Sequence, residues 1–250
     1  MYDFANLFFA GPCNARCPAC IGKQIDPRLN IDNLDEFPLR NLPQFLALIR
    51  RHGVHQVVFS GTTTDPQLYR HERRLLAYLR DKLPVGTQLA LHTNGRLALR
   101  KMDTFNLYDR VCLSLPSFEP ETYHRMMGVP GVPDLAEILH RSRKTIKISY
   151  LVDKPNAAEI PSFLERCLTL GIQRVVLRKK YDENRPWAEM GVRFPEEMQQ
   201  TGFYRNNPVY DFRGVQVTLW DFGETASTSL NLFSSGVISE AYLLIKGAGG

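Results

Sequence analysis

The sequence predicts an α/β protein: an open, partial (β/α)6 barrel with a short C-terminal β-hairpin extension. Three observations lead there. Apolar, β-rich runs alternate with segments of helical period, the pattern of βα units around a parallel sheet. Six such runs are complete by about residue 178 of the 250, too few for a closed eight-stranded barrel, which takes about 250 residues by itself. Beyond Arg178 the alternation gives way to a charged stretch containing Pro and Asn, and then to two hairpin signals.

The first strand candidate is Ala5–Ala10, followed by a cysteine-bearing loop and a polar stretch up to Arg40. Leu42, Phe45, Leu46 and Ile49 then fall at i, i+3, i+4 and i+7, one face of a helix, with Gly53 as its terminator. Further strand candidates are Val57–Phe59, Gln88–Leu91, Val111–Leu115, Ile146–Val152 and Val175–Leu177. Leu75, Leu76, Leu79 and Leu83 mark a second helix, and Ile160, Phe163, Leu164, Cys167 and Leu168 mark another before Gly171. The hairpins read Val209–Phe212, turning at Arg213-Gly214 into Val215–Trp220, and Leu230–Phe233, turning near Ser235-Gly236 into Val237 onwards. Residues 1–180 are therefore expected to form the partial barrel, and residues 181–250 a β extension that closes it and lines the substrate site. In parallel βα architectures the loops at the carboxyl ends of the strands build the site, so the segments just after each strand carry the chemistry.

Composition excludes several classes. The hydrophobic fraction is 44% and the charged fraction 23%, ordinary for a globular chain and unlike a disordered or fibrous one. No run reaches the roughly 18 uninterrupted apolar residues of a membrane helix, and Met1-Tyr2-Asp3 lacks the basic start of a secretory signal, so a cytoplasmic location is expected. Thirty-one basic residues against 26 acidic give +5, which favours anionic ligands without resembling a nucleic-acid-binding arm. The basic groups Arg70/Arg73/Arg74, Arg141/Arg143/Lys144 and Arg178/Lys179/Lys180 read as solvated helix faces or loop rims.

The five cysteines are distributed unevenly: three fall in Gly11-Pro12-Cys13-Asn14-Ala15-Arg16-Cys17-Pro18-Ala19-Cys20, directly after the first strand. A tight odd group in a non-secreted chain points to a metal or to redox work rather than to a disulfide scaffold. Closing an eight-residue loop costs roughly 2 kcal/mol plus a constant, whereas metal–thiolate binding supplies on the order of 10 kcal/mol or more. A structural zinc ion ordinarily takes four protein ligands, and no fourth Cys or His lies at a usual spacing. Cys112 and Cys167, in a strand and on a helix stripe, are expected to pack as small hydrophobes. Three thiolates with a vacant fourth position suit a cubane cluster whose last iron is open to an exogenous ligand.

This C-x3-C-x2-C loop after the first strand resembles that of the radical S-adenosylmethionine (SAM) superfamily, and in particular its molybdenum-cofactor-cyclase-like branch without an auxiliary-cluster domain. The resemblance covers about residues 4–180. It implies one [4Fe-4S] cluster held by Cys13, Cys17 and Cys20, with the amino and carboxylate groups of SAM on the fourth iron. Ser60-Gly61-Thr62-Thr63-Thr64-Asp65-Pro66 stands where the family carries Gly-Gly-Glu-Pro, which implies SAM contacts at Gly61, Thr62 and Asp65. The same segment also reads as a hydroxyl-rich turn leading into a helix cap. His92-Thr93-Asn94-Gly95 is similar to the family's Thr-Asn-Gly and brings in Asn94, and Ser114 stands where the family places a hydroxyl near SAM. Asn156-Ala157-Ala158-Glu159 resembles the branch's Asn-x-x-Glu helix start, and by itself reads as a capping box with Glu159 at N3. Arg178, at the end of the sixth strand, suits the SAM carboxylate or a substrate anion. One departure is Ala19, where many members have an aromatic residue beside the adenine.

The implied activity is reductive cleavage of SAM to a 5′-deoxyadenosyl radical that abstracts hydrogen from a small, anionic, nucleotide- or sugar-like substrate. An external electron donor such as flavodoxin or ferredoxin is implied with it. Modification of RNA or a peptide is the alternative within the class, with nucleic acid not favoured as a partner. An iron–sulfur electron carrier is the alternative outside it.

Overall fold

The computed structural model describes residues 2–244. Its elements run β1 Phe4–Phe9, α1 Leu42–Arg51, β2 Gln56–Gly61, α2 Glu72–Lys82, β3 Gln88–Thr93, the short α3 Met102–Phe105, β4 Arg110–Ser114, α4 Pro120–Met127, α5 Leu135–Arg141, β5 Thr145–Leu151, α6 Ile160–Thr169 and β6 Arg174–Arg178. There follow β7 Gln199–Tyr204, β8 Asn207–Phe212, β9 Val215–Trp220, β10 Ser229–Leu232 and β11 Ile238–Ser239. The strands form one sheet in the order β11-β10-β1-β2-β3-β4-β5-β6-β9-β8-β7.

Alternation along each strand decides what faces where. Leu7 and Phe9, Val57 and Phe59, Leu89 and Leu91, Val111 and Leu113, Ile146 and Ile148, and Val175 and Leu177 all join one apolar core. That core also takes the stripe of α1 (Leu42, Phe45, Leu46, Ile49), of α2 (Leu75, Leu76, Leu79) and of α6 (Ile160, Phe163, Leu164, Cys167). Each such side chain contributes about 1.5–3 kcal/mol when fully buried. Proline in the first turn of α1, α4 and α6 starts these helices where no backbone N–H is missed. Since successive side chains point to opposite faces, the residues in between, including Asn6, Ser60, His92, Cys112, Lys147 and Arg178, line the interior of the curved sheet.

Two features differ from the expected six-stranded barrel. Eight parallel strands stand side by side, because β10 pairs in parallel with β1 and β9 pairs in parallel with β6. The two predicted hairpins are present, β8 with β9 and β10 with β11, but each also lends a strand to one edge of the βα sheet. The open edges of β1 and β6 offer unpaired backbone groups, and Val217, Leu219, Leu230 and Leu232 extend the helix-side core beneath them. The second difference is β7, which lies in the charged stretch where no strand was singled out. Its sequence QQTGFY has no apolar face to bury, and Phe203 and Tyr204 are exposed; antiparallel pairing with β8 alone makes it a strand.

The capping box expected at Asn156 is not formed. The Asn156 side chain accepts from the Asp153 N–H at 2.8 Å and donates to the carbonyls of Pro116 and Leu151 at 2.7 and 2.9 Å. The Glu159 carboxylate instead accepts from Ser117 Oγ at 2.5 Å. The loops after β4 and β5 lie close enough for the amide to bridge them, and three backbone bonds outweigh one cap.

Candidate active site

Beyond β1 the chain enters the cysteine loop, which is docked on two neighbours. The first is the hydroxyl segment after β2. Thr62 N–H donates to the Phe9 carbonyl at 2.8 Å, Thr63 Oγ1 accepts from the Gly11 N–H at 3.1 Å, and Thr64 Oγ1 donates to the Pro12 carbonyl at 2.6 Å. The Cys20 thiol donates to the Thr62 carbonyl at 3.4 Å. Gly61 permits this turn: a Cβ there would lie 1.6 Å from the Thr64 carbonyl oxygen. The second neighbour is the end of α4. Gly128, in the left-handed region at φ +67°, brings its backbone so close that a Cβ would meet the Arg16 carbonyl oxygen at 2.3 Å. Arg16 N–H donates to the Met127 carbonyl at 2.9 Å, and Cys17 Sγ lies 3.8 Å from Met127 Sδ.

Asp65 binds the next loop. Its carboxylate accepts from the Gln67 N–H at 2.9 Å, from Thr93 Oγ1 at 2.8 Å and from the Asn94 N–H at 2.7 Å. It therefore caps the short 3-10 turn Pro66–Leu68, as its sequence context suggests, and is buried. Asn94 passes the connection on, donating from Nδ2 to Asn14 Oδ1 at 2.8 Å inside the cysteine loop. Behind Asp65, Glu72 pairs with Lys101 at 2.5 Å and accepts from the Tyr108 hydroxyl at 2.8 Å. Burial raises the Glu72 pKa, and the Lys101 charge opposes that shift.

The residues present fit an iron–sulfur cluster on two counts. Cys13 is exposed, Cys17 and Cys20 are partly so, and all three are free thiols on one loop. Burial, followed by the charges of Cys20 and Cys13, pushes Cys17 up to about 11, and a cationic centre would offset both the desolvation and the smaller repulsion between neighbouring thiolates. Asn14 Nδ2, one residue from Cys13, is buried without a hydrogen-bond partner and offers a donor to an acceptor at this loop. Among the described residues no three His, Cys, Asp or Glu side chains converge on a single ion position. A cubane asks for neighbouring rather than convergent thiolates, because each binds a different iron.

The remaining residues singled out in the sequence divide between mouth and interior. Gly61, Thr62, Asp65 and Asn94 come together with the cysteine loop, as described. Ser114 lies on the interior face, beside its register partner Ser149. Asn156 is fully buried and acts on the backbone of the loops after β4 and β5 rather than at the cysteine loop. Arg178 is on the interior face, with Nε buried and unpartnered and Phe222 5.9 Å from its guanidinium. Cys167 packs in the helix-side core, whereas Cys112, equally buried, faces the interior. Sequence reading missed Asn14 and Lys147; the signal for Lys147 was a basic residue flanked by two isoleucines, Ile146 and Ile148, in a strand.

Three thiols at the carboxyl-end mouth of a parallel α/β sheet, backed by a hydroxyl-rich turn, define a class of iron–sulfur barrel proteins. The radical SAM superfamily profile matches residues 8–167, and the chain belongs to that superfamily. Its cofactors are accordingly a [4Fe-4S] cluster and SAM. Similar solved structures share the fold. Streptococcus suis SuiB bound to its precursor peptide SuiA is 19% identical with TM-score 0.58, over 72% of this chain and 39% of SuiB. Native anSMEcpe with bound AdoMet is 16% identical with TM-score 0.52, over 72% and 53%. TYW1 with a lysine-pyruvate adduct bound is 14% identical with TM-score 0.50, over 75% and 68%. The chain thus spans about two fifths of SuiB and about half of anSMEcpe. No curated protein matches it.

Proposed function

We propose that the protein cleaves SAM reductively at a [4Fe-4S] cluster held by Cys13, Cys17 and Cys20, and uses the product radical on a small, anionic, nucleotide- or sugar-like substrate inside the barrel. A [4Fe-4S] cluster held by these three thiolates would supply one-electron reduction of SAM, with the electron drawn from an external donor such as flavodoxin or ferredoxin, and SAM so cleaved would yield methionine and the 5′-deoxyadenosyl group that abstracts hydrogen from a substrate C–H bond. The observation that carries the reading is that the inward residues Ser60, His92, Ser114, Lys147 and Arg178 are polar and only half-buried on the same sheet whose first strand leads into the cysteine loop, which supports a second molecule lying beside the radical.

The chain's own groups prepare that encounter. The turn at Gly61 and Thr62 would face SAM, and Asp65 and Asn94 hold that turn against the cysteine loop. Ser114 offers a hydroxyl from β4. Asn156 fixes the loops after β4 and β5, and so acts as a positioning residue. Residues 181–244, including Trp220 and Tyr242, line the open side and exclude water from the radical.

The test is 5′-deoxyadenosine formation by anaerobically reconstituted protein under a low-potential reductant. The reading expects 5′-deoxyadenosine and methionine in equal amounts, and neither from the Cys17→Ala variant. Production of neither by a fully loaded wild-type protein would refute it and leave an electron carrier.

A further inference from the structure

The interior face carries cations without counter-charges. Lys147 sits between Ile146 and Ile148, both in the helix-side core, so its side chain points inward. Arg178 follows Leu177 of that same core and also points inward. Among the described residues neither makes an ion pair, although their sequence neighbours do: Lys179 pairs with Asp221 at 2.6 Å and Lys180 with Asp153 at 3.0 Å. Of the three consecutive basic residues read as a rim group, Lys179, which is buried, and Lys180 are each neutralised by a carboxylate. The one that turns inward has a buried Nε with no partner.

His92, Cys112 and Lys147 are register partners across β3, β4 and β5. Ile148 pairs with Val175 and Leu151 with Arg178, so Arg178 stands four positions nearer the carboxyl ends of the strands than Lys147, about 13 Å along the sheet, a gap that two long side chains reaching towards each other span around one anion; His92, depressed first by burial, feels both charges. Ser114 and Ser149 add hydroxyl donors in the adjacent register. No carboxylate is among the inward residues of β3 to β6. Both side chains are half-buried on the interior face without a carboxylate partner, and Arg178 Nε is buried with no acceptor, an arrangement suited to an anion brought from outside.

We infer that the barrel interior binds a phosphoryl group of the substrate between Arg178 and Lys147. This deepens the function proposed above and depends on it for the bound molecule being a substrate. The guanidinium fork matches phosphate oxygens in bidentate fashion, and the lysine adds a point charge. Two unpaired cations match the charge of a phosphate monoester, about −1.5 to −2 at pH 7, better than that of a single carboxylate.

The experiment is calorimetric titration of inorganic phosphate, and separately of acetate, into reconstituted protein saturated with SAM, for the wild type, Arg178→Gln and Lys147→Gln. SAM affinity and the melting temperature of each protein are measured alongside. One phosphate is expected per chain, weakened at least about tenfold in either variant, with acetate at least about tenfold weaker than phosphate and SAM affinity within about twofold of wild type. Equal phosphate binding in all three proteins would overturn the inference. So would acetate binding as tightly as phosphate, or SAM affinity falling in step with phosphate, which would put the cations on the SAM carboxylate. Failure of the underlying reading is separate, since it appears as absence of 5′-deoxyadenosine from the wild type whatever phosphate does.

Discussion

The side-chain amide of Asn94 donates to Asn14 Oδ1 at 2.8 Å, and its backbone N–H donates to Asp65 Oδ2 at 2.7 Å. One residue after β3 thereby ties the cysteine loop after β1 to the turn after β2. Asp65 is the acceptor on which that chain of contacts ends. Replacing it with Asn turns one oxygen into a donor facing the N–H of Asn94 or Gln67 and leaves a buried donor unmet, a loss of about 1–3 kcal/mol. Asp65→Asn is expected to lower the urea midpoint accordingly and to weaken SAM binding about tenfold, which corresponds to about 1.4 kcal/mol, while iron content holds. Unchanged stability and SAM affinity together would show that the carboxylate does not hold the site.

Gly61→Ala should be more severe, because the added methyl would lie 1.6 Å from a backbone oxygen that has no side-chain freedom. Overpacking costs about 1–3 kcal/mol, and here the relief must come from displacing Thr62–Thr64. The expected result is a folded, less stable protein that binds SAM at least about tenfold more weakly by equilibrium dialysis. Wild-type SAM affinity would remove this turn from the binding site.

Cys112 and Cys167 are buried on opposite faces of the sheet–helix layer, and neither belongs to the cysteine loop. Changing both to Ala should cost roughly 1–3 kcal/mol in total through lost burial and small cavities, with iron and sulfide per chain unchanged. Loss of iron would reveal a ligand in the interior.

His92 gives the fold an acid sensitivity of definite sign. An unfolded histidine titrates near 6.5, whereas burial, with Lys147 and Arg178, pushes folded His92 down to about 3. Between those values the unfolded chain binds a proton that the folded chain refuses. The stability contribution is therefore complete above about pH 6.5 and is lost as the pH falls towards 3, by at most about 1.4 kcal/mol per unit. From pH 7 to pH 5 the wild type should lose about 1–2 kcal/mol more than His92→Gln in chemical denaturation. Equal losses would mean that His92 is not held neutral.

Much of this was legible because the βα strands carry apolar side chains at most of their outward positions. Leu89 and Leu91, or Val175 and Leu177, announce a buried strand whatever lies between them, and the stripe Ile160, Phe163, Leu164, Cys167 announces its helix. The cysteine spacing carried the cofactors for the same reason: three ligands within eight residues need no tertiary information. What was not legible depends on contacts between distant segments. The pairing of β9 with β6 and of β10 with β1 leaves no trace in either strand's own pattern. The amide of Asn156 serves Pro116 rather than its own helix because the loop after β4 happens to lie within reach. Lys147 reads as a solvated lysine until its neighbours Ile146 and Ile148 are seen to occupy the outer face.

The central claim, that the loop holds a cluster with one iron open to SAM, is tested most directly by low-temperature electron paramagnetic resonance of the reduced, anaerobically reconstituted protein, with metal and sulfide analysis of the same sample. The account predicts about four irons and four sulfides per chain, a signal that shifts when SAM is added, and loss of both in Cys17→Ala. Stoichiometric zinc without sulfide, or a cluster signal that SAM leaves unchanged, would contradict it.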